Sequence, residues 1–369
     1  MSEWQETILG ELITLQRGHD LAKTEMQKGK IPVAGSNGII GYHNKATTKA
    51  LGITIGRSGS IGNAYLYKED FWAHNTTLYV KDFKGNDKFF VYYLLKSIDF
   101  NGFNVGSAVP TLNRNHIHPM VIQKPDVNEQ KAIASVLSNL DNKIDLLHRQ
   151  NTTLERMAET LFRQWFVEKA QEDWEEASIT KLFDVRDGTH DSPKQKTVGK
   201  PLITSKHIIG NRLDFESAYL VSDEDFQKIN QRSKVDKNDI LISMIGTIGL
   251  IYLEQAEVVN YAIKNVGLFK TSQNPEWVAY TYFWLKSNLG RQFLDEHISG
   301  STQEYVSLGS FRSITFKKPP KNKFIEFNQL AEGYLNKINN NSNQIQTLEK
   351  LRDTLLPKLM SGEIRINNV

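Results

Sequence analysis

The chain has no cysteine in 369 residues. That excludes disulfides, thiolate metal sites and cysteine nucleophiles, and fits a reducing compartment. Long apolar runs are also missing. The longest, Ile240–Leu253, is broken by Ser243, Thr247 and two glycines. It is too short to span a bilayer and reads as core strand and turn. No basic segment followed by an apolar one opens the chain, so no secretory signal is visible and a cytoplasmic protein is expected. No GxxxxGK[ST] phosphate loop and no GxGxxG between strand and helix occurs. Nor is there an Asn/Asp-Pro-Pro-aromatic run that could grip an exocyclic amine; Pro319-Pro320 is flanked by lysines. His116 and His118 have no third ligand at metal spacing, so no metal site is expected. Pro125-Asp126 with Glu129-Gln130-Lys131 imitates a nuclease signature, but the acids stand three residues apart at a helix start. Asp126 or Asn128 reads better as an N-cap, with Glu129 on the helix dipole.

What the chain does have is a repeat. Residues 106–166 recur at 300–360 without a gap, with 14 identities over 61 positions. Gly106-Ser107 matches Gly300-Ser301, Asn142-Lys143-Ile144 matches Asn336-Lys337-Ile338, and Thr153-Leu154-Glu155 matches Thr347-Leu348-Glu349. Upstream, with small gaps, Trp4 matches Trp174, Gly18 matches Gly188, Ile39-Ile40-Gly41 matches Ile208-Ile209-Gly210, and Gly56–Leu66 matches Ser243–Leu253. One unit of roughly 170–190 residues, long enough for its own core, is therefore written twice. Two similar surfaces suit a partner that also comes in two halves.

Each copy has two textures. Residues 1–125 and 171–319 are rich in Gly, Asn, aromatics and β-branched residues. Runs at Gly52–Ile55, Ala64–Tyr67, Thr77–Val80 and Asp239–Ser243 predict strands, interrupted by helices near Asp87–Lys96 and Trp277–Lys286. The fold class expected is α+β, with two similar α/β domains. Residues 126–170 and 320–369 change to a helical period. Ile133, Leu137, Leu140, Ile144, Leu147, Asn151, Leu154, Ala158, Leu161 and Trp165 alternate in steps of four and three. So do Phe327, Ala331, Tyr334, Ile338, Asn341, Ile345, Leu348, Arg352, Leu355 and Leu359. These are heptad seams, each about 48 Å long at ~1.5 Å per residue. They fit antiparallel when paired positions sum to 492. Asn151 then faces Asn341, Trp165 faces Phe327, and Arg352 opposite Leu140 must snorkel outward.

Charge says little. Residues 1–125 carry 14 Lys/Arg against 10 Asp/Glu, but residues 171–319 carry 18 against 20. Only the first segment has the basic excess of a nucleic-acid binder.

The motifs are more specific. The run PDVNEQKAIASVLSNLDNKIDLLHRQNTTLERMAETLFRQWF (125–166) resembles the central conserved region of type I restriction-modification specificity subunits. LLPKLMSGEIRI (355–366) resembles their distal conserved region, and GSAVPTLN (106–113) and SGSTQEYVSL (299–308) the motif closing each target-recognition domain. Glu304 departs from that otherwise neutral motif. The resemblance covers the whole chain. It implies a non-catalytic reader of a bipartite double-stranded DNA target, binding two methyltransferase subunits, with restriction subunits joining through them. The chain itself would hold no cofactor; S-adenosylmethionine, ATP and magnesium would sit on the partners. A self-contained DNA-modifying enzyme and a protein-only coiled-coil adaptor are the other classes.

Reading base edges needs polar side chains on loops of a firm domain. The residues expected at DNA are Ser36, Asn37, His43, Lys45, Arg57, Ser58, Asn75, Asn113 and Arg114 in the first domain. In the second they are Lys194, Ser205, Lys206, His207, Thr247, Lys264, Thr302, Gln303 and Arg312. Arg57, flanked by glycines, is the foremost choice.

Overall fold

The computed structural model describes residues 3–103 and 111–366. Residues 106–110 of the first closing motif lie outside them. The chain divides into two compact units, Met1–Asp145 with Gln346–Val369, and Leu146–Ile345.

In the first unit a four-stranded antiparallel sheet runs in the order Thr14–Arg17, Thr77–Asp82, Gly52–Gly56, Ala64–Tyr67. Gly52–Gly56 is buried throughout, which explains its unbroken apolar and small-residue run. Ile53, Ile55, Leu78 and Val80 share a core with Phe90, Val91, Leu94 and Leu95 of helix Lys88–Ser97. Asp87 caps that helix by accepting from Phe90 N at 2.9 Å. A smaller sheet pairs Ile31–Gly35 antiparallel with Gly38–His43 and parallel with Trp72–Ala73. Strand Gln5–Ile8 pairs with Val121–Lys124 and closes the domain where the long helix begins.

The second unit repeats this plan. Its four-stranded sheet runs Val185–Asp187, Val266–Phe269, Ile240–Ser243, Ile251–Leu253. Lys200–Ile203 pairs parallel with Ala262–Ile263, and Glu176–Ser178 pairs with Thr315–Lys317. Helix Val278–Lys286 takes the place of Lys88–Ser97. Equivalent contacts recur in detail. Leu112 N donates to Arg57 O, and Val306 N to Met244 O. The sequence repeat is therefore a repeat of topology.

The two long helices are Val127–Arg163 and Lys321–Met360. Asp126 starts the first by accepting from the backbone of Asn128 and Glu129, both at 2.9 Å. Glu129 forms a two-pronged ion pair with Arg365, which also lies over the Trp4 ring. In the first unit Ile133 and Leu137 share the core with Leu356, Leu359 and Met360. In the second, Asn341 Nδ2 donates to Asn151 Oδ1 at 2.8 Å, and both amides are buried. Asn151 Nδ2 in turn reaches Ile338 O and Ser342 Oγ.

Two expectations need correction. Arg352 does not snorkel into water: its Nη1 donates to Asp141 Oδ1 at 2.9 Å, and Tyr93 Oη donates to the other Asp141 oxygen at 2.7 Å. The ion pair, half-buried on both sides, replaces solvent as its partner. The seam also changes phase after Ala158. Phe162 and Phe166 are buried, while Leu161 and Trp165 are only partly so. Phe327 packs on Phe166 at 5.0 Å and Phe162 at 5.8 Å, closer than its 6.4 Å to Trp165. The cause is the aromatic core of this unit, Tyr280, Phe283 and Trp174, which offers more apolar area than a two-helix seam. A π-helical turn at Gln164–Glu168 accompanies the change.

The amide pair gives a direct prediction. Asn341→Leu leaves the buried Asn151 Oδ1 without its donor and should lower stability by about 1–3 kcal/mol, while Asn151→Leu with Asn341→Leu should recover much of it. Urea unfolding of the single and double variants measures both. Equal losses at each step would show that the amides do not act as a pair.

Candidate nucleic-acid interface

In the first domain the loop after Gly52–Gly56 turns through Gly59 and Gly62, at φ +82° and +81°, which a side chain would strain. Arg57 sits at its root. Its N–H donates to Thr76 O at 2.8 Å, and its Nη1 reaches Asn75 O at 3.4 Å. Ser58 bridges to Thr111. A Cβ on Gly56 would lie 2.9 Å from Ser36 O, so the Ser36 turn abuts the same loop. Asn113 accepts from Asn115 N and caps a short helix, leaving Arg114 exposed. Arg57, Asn113 and Arg114 line a cleft of about 570 Å³ with Arg17, Asp20 and Asn115. Three arginines against one carboxylate make it basic.

The structure thus gathers Ser36, Arg57, Ser58, Asn75, Asn113 and Arg114. Asn37 and Lys45 are exposed on or beyond the hairpin and do not line this cleft. His43 is buried: its Nδ1 accepts from Gln27 N at 3.0 Å and its ring meets Trp72 edge-on. The ring holds the hairpin to the preceding loop and presents no edge to a base.

In the second domain Lys264 Nζ donates to Ser192 Oγ at 2.6 Å, and Ser205 Oγ reaches Asn265 O at 3.4 Å. Lys194 and Lys206 are exposed on the loops beside them. Gly246 N donates to Glu304 O, bringing the Thr247 turn against the loop that carries Thr302 and Gln303, all exposed. His207 is fully buried, with Nδ1 accepting from Thr204 N at 2.8 Å. It closes the turn and has no face toward solvent. Arg312 Nε donates to Val185 O at 3.0 Å, as Leu15 N donates to His118 Nε2 in the first domain. The two contacts fall at matched positions and tie the closing helix to the first strand of the sheet.

Sequence reasoning passed over Arg17 and Asp20, and Asp187 and His190. They flank Gly18 and Gly188, and those two glycines were already matched in the repeat. That match was the available signal.

The type I restriction modification DNA specificity model matches residues 1–156 and 171–351. The chain belongs to this family. It is similar to the MjaIX specificity subunit of Methanocaldococcus jannaschii, 23% identical over 76% of this chain and 70% of that one. It is similar also to the HindI specificity subunit of Haemophilus influenzae, 22% identical over 69% and 71%. Its fold resembles the crystal structure of a type I restriction-modification S subunit from M. genitalium, with TM-score 0.66 and 18% identity over 97% and 96% of the chains. Specificity subunits are DNA-recognition components and not catalysts, and this chain is one of them. Among the described residues no group of three or more His, Asp or Glu side chains could hold a metal, and no helix is long and apolar enough to cross a membrane.

Burial pushes His118 and His207 below the ordinary histidine value of about 6.5. Both rings accept backbone hydrogen bonds, which need them neutral. Below that value the unfolded chain binds protons that the folded chain refuses, so stability falls as pH falls. Urea midpoints should be lower at pH 5.5 than at pH 7.5. His207→Asn and His118→Gln should each flatten that difference; an unchanged pH slope in both would contradict the assignment.

Proposed function

We propose that residues 1–125 and 171–319 each read one half of a bipartite duplex target. The helical segments, 126–170 and 320–369, set the unread spacer between the halves and dock two methyltransferase subunits. Restriction subunits join through those subunits, and S-adenosylmethionine, ATP and magnesium belong to the partners. The observation that carries this reading is the duplicated loop frame. Each domain brings loops after matched strands to one place, and in the first they line a basic cleft. Loops on a firm sheet are where base-reading side chains belong. The antiparallel Asn151–Asn341 register supports the spacer role, because paired helices resist bending and slipping. Two matched copies of one unit suit two identical subunits. Site of action in the cytoplasm follows from the DNA target.

The two domains cannot read alike. Met244, buried, stands where Arg57 stands. Arg57 is the foremost base reader of the first half, since a guanidinium can pair with guanine O6 and N7.

Binding of the full chain to its duplex should weaken steeply with salt, as phosphate contacts require. Arg57→Ala should cost about 1–3 kcal/mol against the cognate duplex at matched salt and relax selectivity at one base pair. Titration of cognate and singly changed duplexes decides this; an Arg57→Ala chain as tight and as selective as the parent removes Arg57 from the contact. Exchange of residues 171–319 for the matching domain of a relative should alter one half of the target only. A change in the other half, seen by methylation mapping in cells, would contradict independent domains.

A further inference from the structure

Gly18 and Gly188 occupy one place in the two copies, and each brings a strand end hard against a second loop. A Cβ on Gly18 would fall 2.2 Å from His74 O; on Gly188, 2.5 Å from Ile263 O. His19 N donates to Ala73 O at 2.7 Å, and Thr189 N to Ile263 O at 3.0 Å. His19 and Thr189 make parallel bridges to His74 and Lys264. The backbone frame is the same in both domains.

The side chains on it are not. In the first domain Arg17 Nη2 donates to Asp20 Oδ1 at 2.9 Å, and Asn75 Nδ2 donates to the same oxygen. Arg57 Nη1 reaches Asn75 O, so Arg17, Asp20, Asn75 and Arg57 form one polar chain along the cleft. The Asn75 hydrogen bond, joined by Arg17, holds the Asp20 carboxyl below the usual carboxylate range. In the second domain the acid has moved. Asp187 is buried and accepts from Arg232 and, at 2.8 Å, from His190 Nε2. His190 Nδ1 lies 2.9 Å from Asn265 Oδ1, and Asn265 takes the left-handed φ of +53° that Asn tolerates. One frame carrying exchanged polar groups is what two domains reading different base pairs require. A carboxylate in the middle of the first cleft would repel phosphate, and so argues for work at base edges.

We propose that this loop pair is the matched specificity-determining position of the two domains. Arg17, aimed by Asp20, reads a guanine edge in the first half-site, and His190, aimed by Asp187, contacts a base in the second. The Asp20 contact engages one donor of a five-donor planar fork, restricting its rotamers while leaving donors for O6 and N7. Asp20 and Asp187 are positioning residues; Arg17 and His190 touch the base. The proposal rests on the function given above.

The test is selection from a randomised duplex pool at matched salt, using the full chain and its Arg17→Ala, Asp20→Asn and His190→Ala variants. Arg17→Ala and Asp20→Asn should lower the preference at the same base pair of the first half about tenfold or more, and leave the second half intact. His190→Ala should do the reverse. The untouched half reports that the other domain is folded, and unchanged preferences at the remaining base pairs of the altered half report the same of the variant domain. First-half preferences equal to the parent's in Arg17→Ala and Asp20→Asn overturn the proposal and leave the domain reading standing. So does a loss in Asp20→Asn that is equal for all sequences, since a purely structural carboxylate would give that. A parent chain that enriches no sequence overturns both.

Discussion

Two amides buried in an apolar seam allow the long helices one register. Asn341 donates to Asn151 at 2.8 Å, Asn151 donates on to Ile338 O and Ser342 Oγ, and a slip by a heptad would break these contacts in apolar surroundings. Within the second unit that register brings Phe327 onto Phe162 and Phe166, beside the buried methyls of Ala158 and Ala331. It also accompanies the ion pair between Glu155 of the first long helix and Lys286 of the domain's own helix. In the first unit the Asp141–Arg352 pair and the Tyr93 hydroxyl make a comparable tie between helix and domain. Each domain is therefore fastened to helix by a charge as well as by its core. Such half-buried ties favour one geometry more than they add stability.

The repeat was legible because its spacing survives where identity does not. The four-stranded order recurs in both units, and so do the ties of His118 to Leu15 and Arg312 to Val185. The seam was legible as far as Ala158. Beyond it a heptad count favours Leu161 and Trp165, whereas the fold buries Phe162 and Phe166. A sequence shows the period of a helix but not the aromatic pocket waiting at its end. The same limit applies to Arg352, whose partner Asp141 lies 211 residues away in the chain.

The candidate cleft was legible in part. Glycine flanks marked Arg57, which lines the basic cleft beside Asn113 and Arg114. Loop composition could not separate His43 and His207, which cap buried turns, from residues that face outward. Nor could it find the buried Asp187, whose partner Arg232 comes back from a distant helix end. For His43 and Asp187 the partner that hides the residue, Gln27 or Arg232, is distant in sequence; for His207 it is burial of a local turn closed on Thr204.

Helix length is the variable that tests the helices as a spacer. One added heptad after Gln150 and another after Gln344 keep the seam in phase and lengthen each helix by about 10 Å at ~1.5 Å per residue. That is close to three base pairs at ~3.4 Å each. Methylation mapping in cells carrying the double insertion should show both half-sites unchanged and the unread spacer longer by about three base pairs. Full modification at the original spacing would contradict the spacer role of the helices.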